Sequence, residues 1–124
     1  MREKKRILII DDEPDILRVV MFRLRKAGYE VLTAADGQAG WQMAKSELPN
    51  FILLDIRLPL MDGFEVCKKL KDDPQTAAIP VIFLSASSAE DLSSKSKEYN
   101  AEGFMRKPFE PDELLRTIEK MIGK

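Results

Sequence analysis

The chain has 124 residues, with 20 Lys and Arg against 21 Asp and Glu and a formal net charge of −1. This length suits one domain with a single core, and the balanced charge gives no signal of a polyanion-binding surface. No apolar stretch reaches the roughly 20 residues of a membrane span, and the first apolar run is too short for a signal peptide. The single cysteine, Cys67, cannot form an internal disulfide bond, which favours a reducing compartment. We expect a cytoplasmic domain.

Strand and helix patterns alternate five times along the chain. The apolar runs at 7–10, 51–54 and 81–84 are continuous rather than alternating, which is typical of parallel strands covered on both faces. Tyr29–Ala34 predicts a further strand, and Gly103–Arg106 predicts a shorter one. Because crossovers between parallel strands are right-handed, this order predicts a doubly wound α/β sheet.

Helical patterns follow each strand. The predicted helices run from Pro14 to a stop at Gly28, over Asp36–Glu47, over about Phe64–Lys71, within Ser87–Asn100 and over Glu110–Ile122. Gly40 lies inside the second, where glycine costs about 1 kcal/mol relative to alanine. The fourth has only Ala89, Leu92 and Tyr99 as apolar residues, so we expect it to be among the least stable parts of the fold.

Residues that can handle a phosphoryl group or a divalent cation stand at the ends of the apolar runs. Asp11 and Asp12 follow the first run, Asp55 follows the third, Ser85 the fourth and Lys107 the fifth. The carboxyl ends of parallel strands lie at one edge of an open sheet, where ligands bind. Three carboxylates, a hydroxyl and an ammonium are therefore expected to share one crevice.

Three carboxylates held close together raise one another's pKa values or require a cation. Mg²⁺ binds through one or two carboxylates together with water and phosphate oxygens. Lys107 adds a compact positive charge suited to an anionic oxygen, and Ser85 can donate a hydrogen bond to another. With one carboxylate as the nucleophile, this set suits phosphoryl transfer, which depends on positioning and electrostatics.

Several short segments occur in the order and spacing of one known family. They read ILIIDDEPDI, AGYEV, AADG, LLDIRLPLMDG, IPVIFLSA and FMRKPF along the chain. On these segments the chain resembles response-regulator receiver domains, the CheY-like phosphoacceptors of two-component signalling, from Ile7 to about Ile122. The resemblance implies a single receiver domain at 1–124 with its core at 6–122, and no output domain in this chain. It also implies five helices around a five-stranded parallel sheet with the flavodoxin-like order 2-1-3-4-5.

The resemblance gives the acidic residues specific roles. Asp55 would accept a phosphoryl group from the phosphohistidine of a sensor histidine kinase or of a histidine phosphotransfer protein. Mg²⁺, for which Mn²⁺ is expected to substitute, would be bound by the side chains of Asp12 and Asp55, by Asp11 partly through water, and by the backbone carbonyl of Arg57. The chain would assist its own phosphorylation and dephosphorylation without being an enzyme in the usual sense.

The resemblance also assigns the later residues. Ser85 and Lys107 would contact the phosphoryl oxygens, Ser85 and Phe104 would form the switch, and the Lys107–Pro108 peptide bond would be cis, which proline permits. Position 85 carries Ser where Thr is common, and position 104 carries Phe rather than Tyr. Arg57 and Ala86 are candidate modulating residues. We hypothesise that Arg57 alters the lifetime of the phosphoryl group.

Each of these residues also has a plain structural interpretation. Asp11 and Asp12 alone would be helix-capping acids, Asp55 a turn residue, and Lys107 a solvated lysine. Phe104 alone would be a core residue. Only the combination at one sheet edge favours a metal and phosphoryl site.

The function predicted from these residues is a phosphorylation-dependent switch that shifts a pre-existing equilibrium of the Ser85–Lys107 half. Alternatives are a phosphorelay intermediate that passes the group to a phosphotransfer protein, and an adaptor that keeps only the fold. A nucleotide or flavin binder would need a Gly-rich loop after the first strand, where DDEPD stands instead. We expect a monomer or weak dimer with an unidentified downstream target, and no nucleic-acid or membrane contact by this chain.

Overall fold

A computed structural model describes residues 4–86 and 89–123, which form five β-strands alternating with five α-helices. The strands are β1 (Arg6–Ile10), β2 (Glu30–Ala34), β3 (Phe51–Asp55), β4 (Val81–Ser85) and β5 (Gly103–Arg106). The helices are α1 (Pro14–Lys26), α2 (Gly37–Glu47), α3 (Gly63–Asp72), α4 (Ala89–Glu98) and α5 (Pro111–Ile122). No helix in this described part of the chain is long and apolar enough to cross a bilayer.

The five strands form one parallel sheet in the order β2-β1-β3-β4-β5. This confirms the predicted fold class and strand order. Every residue of β3 and β4 is buried, because helices cover both faces of the sheet. Burying one Leu or Ile side chain fully contributes about 1.5–3 kcal/mol, so these central strands contribute strongly to the stability of the fold.

Successive side chains of β1 point to opposite faces, as the period of a strand requires. Ile7 and Ile9 join a core cluster with α1 and α5, through residues such as Val20 and Ile118. The second core cluster lies on the other face, where β1 packs against α2, α3 and α4. The chain is therefore a three-layer sandwich with two helices on one face and three on the other.

Gly40 allows α2 to approach β1 closely. A Cβ atom at this position would lie only 2.6 Å from Cδ1 of Ile10 and 2.8 Å from its Cγ2. The intrinsic cost of a glycine inside a helix is offset here by contact with the sheet that a larger residue would prevent.

Element boundaries differ from the sequence prediction by one residue in several places. The third helix begins at Gly63 rather than Phe64, because the Asp62 side chain accepts a 3.0 Å hydrogen bond from Glu65 N and caps the helix there. The second strand begins at Glu30. Tyr29 precedes it as a buried residue whose hydroxyl donates a 2.7 Å hydrogen bond to Gly123 O.

Helix α4 makes more contacts with the rest of the fold than its few apolar residues indicated. Ser87, where the predicted segment begins, lies outside the described residues, as does the side chain of Ala89. Leu92 is buried, and the buried Ser96 hydroxyl donates a 2.7 Å hydrogen bond to Leu92 O. Just beyond the helix, the Tyr99 ring stacks on Phe64 with 5.1 Å between centroids. Its low stability relative to the other helices stays a prediction.

Candidate functional site

Three carboxylates converge at the carboxyl ends of β1 and β3, which are neighbouring strands. Asp11 and Asp12 follow β1 directly, and Asp55 is the last residue of β3. One carboxylate oxygen from each lies within 4.8 Å of the others. Asp11 and Asp55 are buried whereas Asp12 is exposed, so the group opens to solvent on one side.

The Asp11 carboxylate is the most deeply buried of the three. Its Oδ1 accepts a 2.8 Å hydrogen bond from Glu13 N, but its buried Oδ2 accepts none from any residue that the structure describes. Burial raises the pKa of the Asp11 carboxyl, and the neighbouring Asp55 charge raises it further, against the opposing effects of the Glu13 N–H and Lys107. A buried oxygen without a hydrogen bond calls for a partner. These oxygen donors suit a hard divalent cation such as Mg²⁺.

Asp55 is held from two sides. Its Oδ1 accepts a hydrogen bond of 3.1 Å from Arg57 N, and its Oδ2 accepts one of 3.1 Å from Lys107 Nζ. The following loop folds back tightly, since Gly63 N donates a 3.0 Å hydrogen bond to Ile56 O. A Cβ at Gly63 would lie 2.4 Å from the backbone oxygen of Asp55. The close approach of this loop therefore requires glycine.

The ammonium group of Lys107 lies beside the carboxylates. Its backbone N–H donates a 2.8 Å hydrogen bond to Ser85 O, and its peptide bond with Pro108 is cis. Nζ lies 3.1 Å from Asp55 Oδ2 and 3.5 Å from Asp11 Oδ2. Burial alone would lower the pKa of Lys107, but hydrogen bonds to Glu13 and Asp55 and the nearby negative charges outweigh it and raise the pKa. The side chain is therefore a permanent cation at neutral pH.

A cleft of about 510 Å³ opens over these groups. Its lining consists of Asp12, Glu13, Asp55, Arg57, Ser85, Ala86 and Lys107. Ser85 is the buried last residue of β4, and Arg57 and Ala86 are exposed. The cleft is thus lined by the residues proposed for catalysis and modulation and by two of the three aspartates proposed for metal binding. A small anion could reach the Asp55 carboxylate through it.

Phe104 lies apart from this cleft. It is a partly buried residue of β5, paired in register with Phe83 of β4. It lines a separate surface cavity with residues of α4, among them Glu90 and Lys97. Phe104 is joined to the acidic site through the β4–β5 pairing and through the short segment that leads to Lys107.

Glu13 is a site residue that the sequence reasoning treated only as an acid favouring the start of α1. Its Oε1 lies 2.5 Å from Lys107 Nζ, closer than either buried aspartate. The signal available in the sequence was a third acid directly after Asp11 and Asp12, at the same strand end. Spacing alone could not show that this side chain turns toward a lysine 94 positions away.

A family model and several curated proteins match this chain. The response regulator receiver domain model matches residues 7–119. The alkaline phosphatase synthesis transcriptional regulatory protein PhoP of Bacillus subtilis is 36% identical over 97% of this chain and 49% of its own length. The chain spans about half the length of the first curated relatives that it matches.

Solved structures of a chemotaxis protein and of a receiver domain also match this chain. The chemotaxis protein CheY4 of Vibrio cholerae matches with a TM-score of 0.89 and 32% identity, over 96% of this chain and 99% of that one. The receiver domain of the sensor histidine kinase PA1611 of Pseudomonas aeruginosa, solved with a magnesium ion in its active-site cleft, matches with a TM-score of 0.88 and 28% identity. That match covers 98% of this chain and 100% of the other. Fold, family model and relatives together establish that this chain belongs to the response regulator receiver domain family.

Proposed function

We propose that this chain is a signalling switch in which Asp55 accepts a phosphoryl group. The observation that carries the proposal is the 3.1 Å contact between Asp55 Oδ2 and Lys107 Nζ, in an open cleft with two further aspartate carboxylates close to Asp55. An Asp55 oxygen would attack the phosphorus of a phosphohistidine. The P–O bond forms as the P–N bond breaks, and the imidazole leaves with that electron pair.

The phosphohistidine would belong to another protein, a sensor histidine kinase or a histidine phosphotransfer protein. The 124 residues contain no histidine, so the donor group cannot come from within them. The cleft is open at the exposed residues Asp12, Arg57 and Ala86, which leaves room for an approaching imidazole. Residues 6–122 would form the complete receiver unit in this proposal.

Mg²⁺ would be held by the Asp11, Asp12 and Asp55 side chains and by the backbone carbonyl of Arg57. The buried Asp11 Oδ2 supports this assignment, since it accepts no hydrogen bond from the described residues. When bound, the cation would offset negative charge on the phosphoryl oxygens, and Mn²⁺ would supply the same chemistry. Asp11 must be deprotonated to act as a ligand, so metal affinity would depend on pH.

Lys107 and Ser85 would stabilise the phosphoryl group after transfer. The raised pKa of Lys107 keeps its ammonium charged, and this ammonium would move from the Asp55 carboxylate to a phosphoryl oxygen. The Ser85 hydroxyl, at the end of the neighbouring strand, would donate to another. Electrostatic contributions of this kind dominate phosphoryl transfer.

The conformational change would begin at Ser85. Lys107 N is hydrogen-bonded to Ser85 O, so movement of either residue toward Asp55 would be felt by the other. Phe104 lies on the strand paired with β4, and we propose that its packing responds to this movement. A downstream target would then distinguish the two states by the surface around β5 and α4.

The test is incubation with Mg²⁺ and a small phosphodonor such as acetyl phosphate, followed by intact mass measurement. We expect one added phosphoryl group on the parent chain and none on Asp55→Asn. Asp62→Asn is a matched control, because Asp62 is a helix-capping aspartate in the loop after β3. Phosphorylation of Asp55→Asn to the same extent as the parent would overturn the proposal.

A second experiment distinguishes a signalling switch from a phosphorelay intermediate. The phosphorylated chain is mixed with a histidine phosphotransfer protein, and the phosphoryl group is followed by mass. Retention of the group on Asp55 supports the switch. Rapid transfer to the partner would instead assign this chain to a phosphorelay.

A further inference from the structure

Glu13 makes the shortest contact to Lys107 in the cleft. Its Oε1 lies 2.5 Å from Lys107 Nζ, compared with 3.1 Å for Asp55 Oδ2 and 3.5 Å for Asp11 Oδ2. Glu13 is also the residue that precedes the first residue of α1, Pro14. Its side chain makes no capping hydrogen bond to that helix within the described structure, and it turns across the cleft to the lysine instead.

Glu13 and Asp55 both contact the Lys107 ammonium and differ in exposure. The Lys107 backbone is joined to β4 by its hydrogen bond to Ser85 O, and its long side chain can redistribute between partners without breaking that bond. The Glu13 side chain is 54% exposed, whereas that of Asp55 is 6% exposed. Glu13 therefore draws the ammonium toward the solvent side of the cleft, and Asp55 draws it inward.

The Lys107 ammonium is therefore shared by the carboxylates of Glu13, Asp55 and Asp11. A phosphoryl group on Asp55 would replace the Asp55 carboxylate as the inner anionic partner of this ammonium. Lys107 Nζ can form a close ion pair with the phosphoryl oxygens only if its contact with Glu13 lengthens or breaks. The free energy of the Glu13–Lys107 pair is then part of the cost of reaching the phosphorylated conformation.

We propose that Glu13 is a positioning residue that shares the Lys107 ammonium with Asp55 in the unphosphorylated protein and competes with the phosphoryl group for it. This rests on the proposed function, because it assigns Lys107 to the phosphoryl group. Glu13 thereby biases the switch toward its resting state. A half-exposed ion pair contributes up to about 1 kcal/mol, so removing it is expected to favour the phosphorylated state about two- to fivefold.

The experiment measures the affinity for beryllofluoride, an analogue of the phosphoryl group, at saturating Mg²⁺ by titration calorimetry. Glu13→Gln removes the charge and is expected to bind about two- to fivefold more tightly than the parent. Asp15→Asn is the matched control, since Asp15 is an exposed acid on the same helix end that pairs with Arg18 rather than with Lys107. It is expected to bind as the parent does.

A third variant separates tethering of Lys107 from simple charge repulsion. Glu13→Asp keeps the negative charge but is one methylene shorter, so it cannot keep the contact with Lys107 in the same geometry. Tethering predicts that Glu13→Asp binds beryllofluoride more tightly than the parent, like Glu13→Gln. Charge repulsion predicts that it binds like the parent, and that result would overturn the inference.

The concentration of acetyl phosphate that gives half the maximal phosphorylation rate provides a second readout. It is expected to fall in Glu13→Gln and in Glu13→Asp. If the parent chain binds beryllofluoride but Glu13→Gln and Asp15→Asn have equal affinities, Glu13 has no positioning role and the proposed function stands. If the parent chain does not bind beryllofluoride at all, the proposed function and this inference both fail.

Discussion

Lys71 Nζ lies 2.9 Å from Glu102 Oε1, at the end of the sheet opposite the acidic cleft. The same ammonium donates hydrogen bonds of 3.1 and 2.9 Å to the carbonyl oxygens of Ala77 and Ile79. Glu102 Oε1 also accepts a 2.7 Å hydrogen bond from Val81 N. One ion pair thus connects α3, the loop before β4, and the starts of β4 and β5.

Lys71→Met should destabilise the fold substantially. The Lys71 side chain is 9% exposed. Its loss removes the donor to two backbone carbonyls and leaves the Glu102 carboxylate with its hydrogen bond from Val81 N but without its cation. We expect the free energy of unfolding in urea to fall by about 2 kcal/mol. The matched control is Lys68→Met on the same helix, whose partner Asp72 is as exposed as Lys68 itself, and a change within about 0.5 kcal/mol is expected there. Equal effects of the two substitutions would contradict this account.

The sequence was informative about the cleft because its chemistry follows strand ends. Asp11, Asp55 and Ser85 each stand where a continuous apolar run stops, and the parallel order of the strands brings such positions to one edge. The same reasoning could not find the ion pairs of Glu13 or Lys71. Those contacts join charged residues far apart in the chain, and no periodicity marks them.

The packing of helix α4 is a second feature that could not be predicted from the sequence. Its anchoring depends on Ser96, whose buried hydroxyl satisfies its hydrogen bonding within the helix, and on Tyr99 stacking against Phe64 of another helix. A count of apolar residues treats serine as exposed by default. Tertiary packing, which such a count does not represent, determines how well this helix is held.

Cys67 should be inert toward thiol reagents in the native protein. Burial is the main reason that its pKa is raised to about 12, with Lys71 lowering it and Glu102 raising it. Because the thiolate is the reactive form, reaction with Ellman's reagent at mildly alkaline pH should be at least about a hundredfold slower than in the urea-denatured chain. Rapid stoichiometric labelling of the native protein would show that the α3–α4 side is open in solution.

Arg57→Ala should shorten the lifetime of the phosphoryl group on Asp55. Arg57 is an exposed cation that lines the cleft, so it can offset phosphoryl charge and restrict access of water. The substitution keeps the backbone carbonyl proposed as a metal ligand and the N–H that bonds Asp55. We expect dephosphorylation, followed by mass after removal of the donor, to be about twofold faster or more. Arg18→Ala, on the exposed face of α1, is the control, and equal rates for Arg57→Ala and the parent would end this assignment.

Mg²⁺ affinity should fall on acidification, and Asp11 should be the reason. The pKa of Asp11 is raised above its ordinary value of 3.8, mainly by burial, so a proton competes with the cation at a higher pH than at an ordinary aspartate. Titration calorimetry at decreasing pH should therefore show a loss of affinity that begins above 3.8. Asp11→Asn should bind Mg²⁺ at least about tenfold more weakly, and the pH dependence due to this carboxyl should disappear.

The same substitution should have opposite effects on stability without and with the metal. Because the folded-state pKa of Asp11 is raised, the folded protein binds that proton more tightly than the unfolded chain does. This contribution to stability is present at low pH and is lost as the pH rises through the folded-state pKa. At neutral pH in EDTA, Asp11→Asn should therefore raise the free energy of unfolding by about 1 kcal/mol. With Mg²⁺ at 100 times its Kd the parent should gain about 2.7 kcal/mol. The variant, which binds at least about tenfold more weakly, should gain about 1.4 kcal/mol or less at that concentration, so the order of stability reverses. An unchanged order in urea unfolding with and without Mg²⁺ would exclude Asp11 as a ligand.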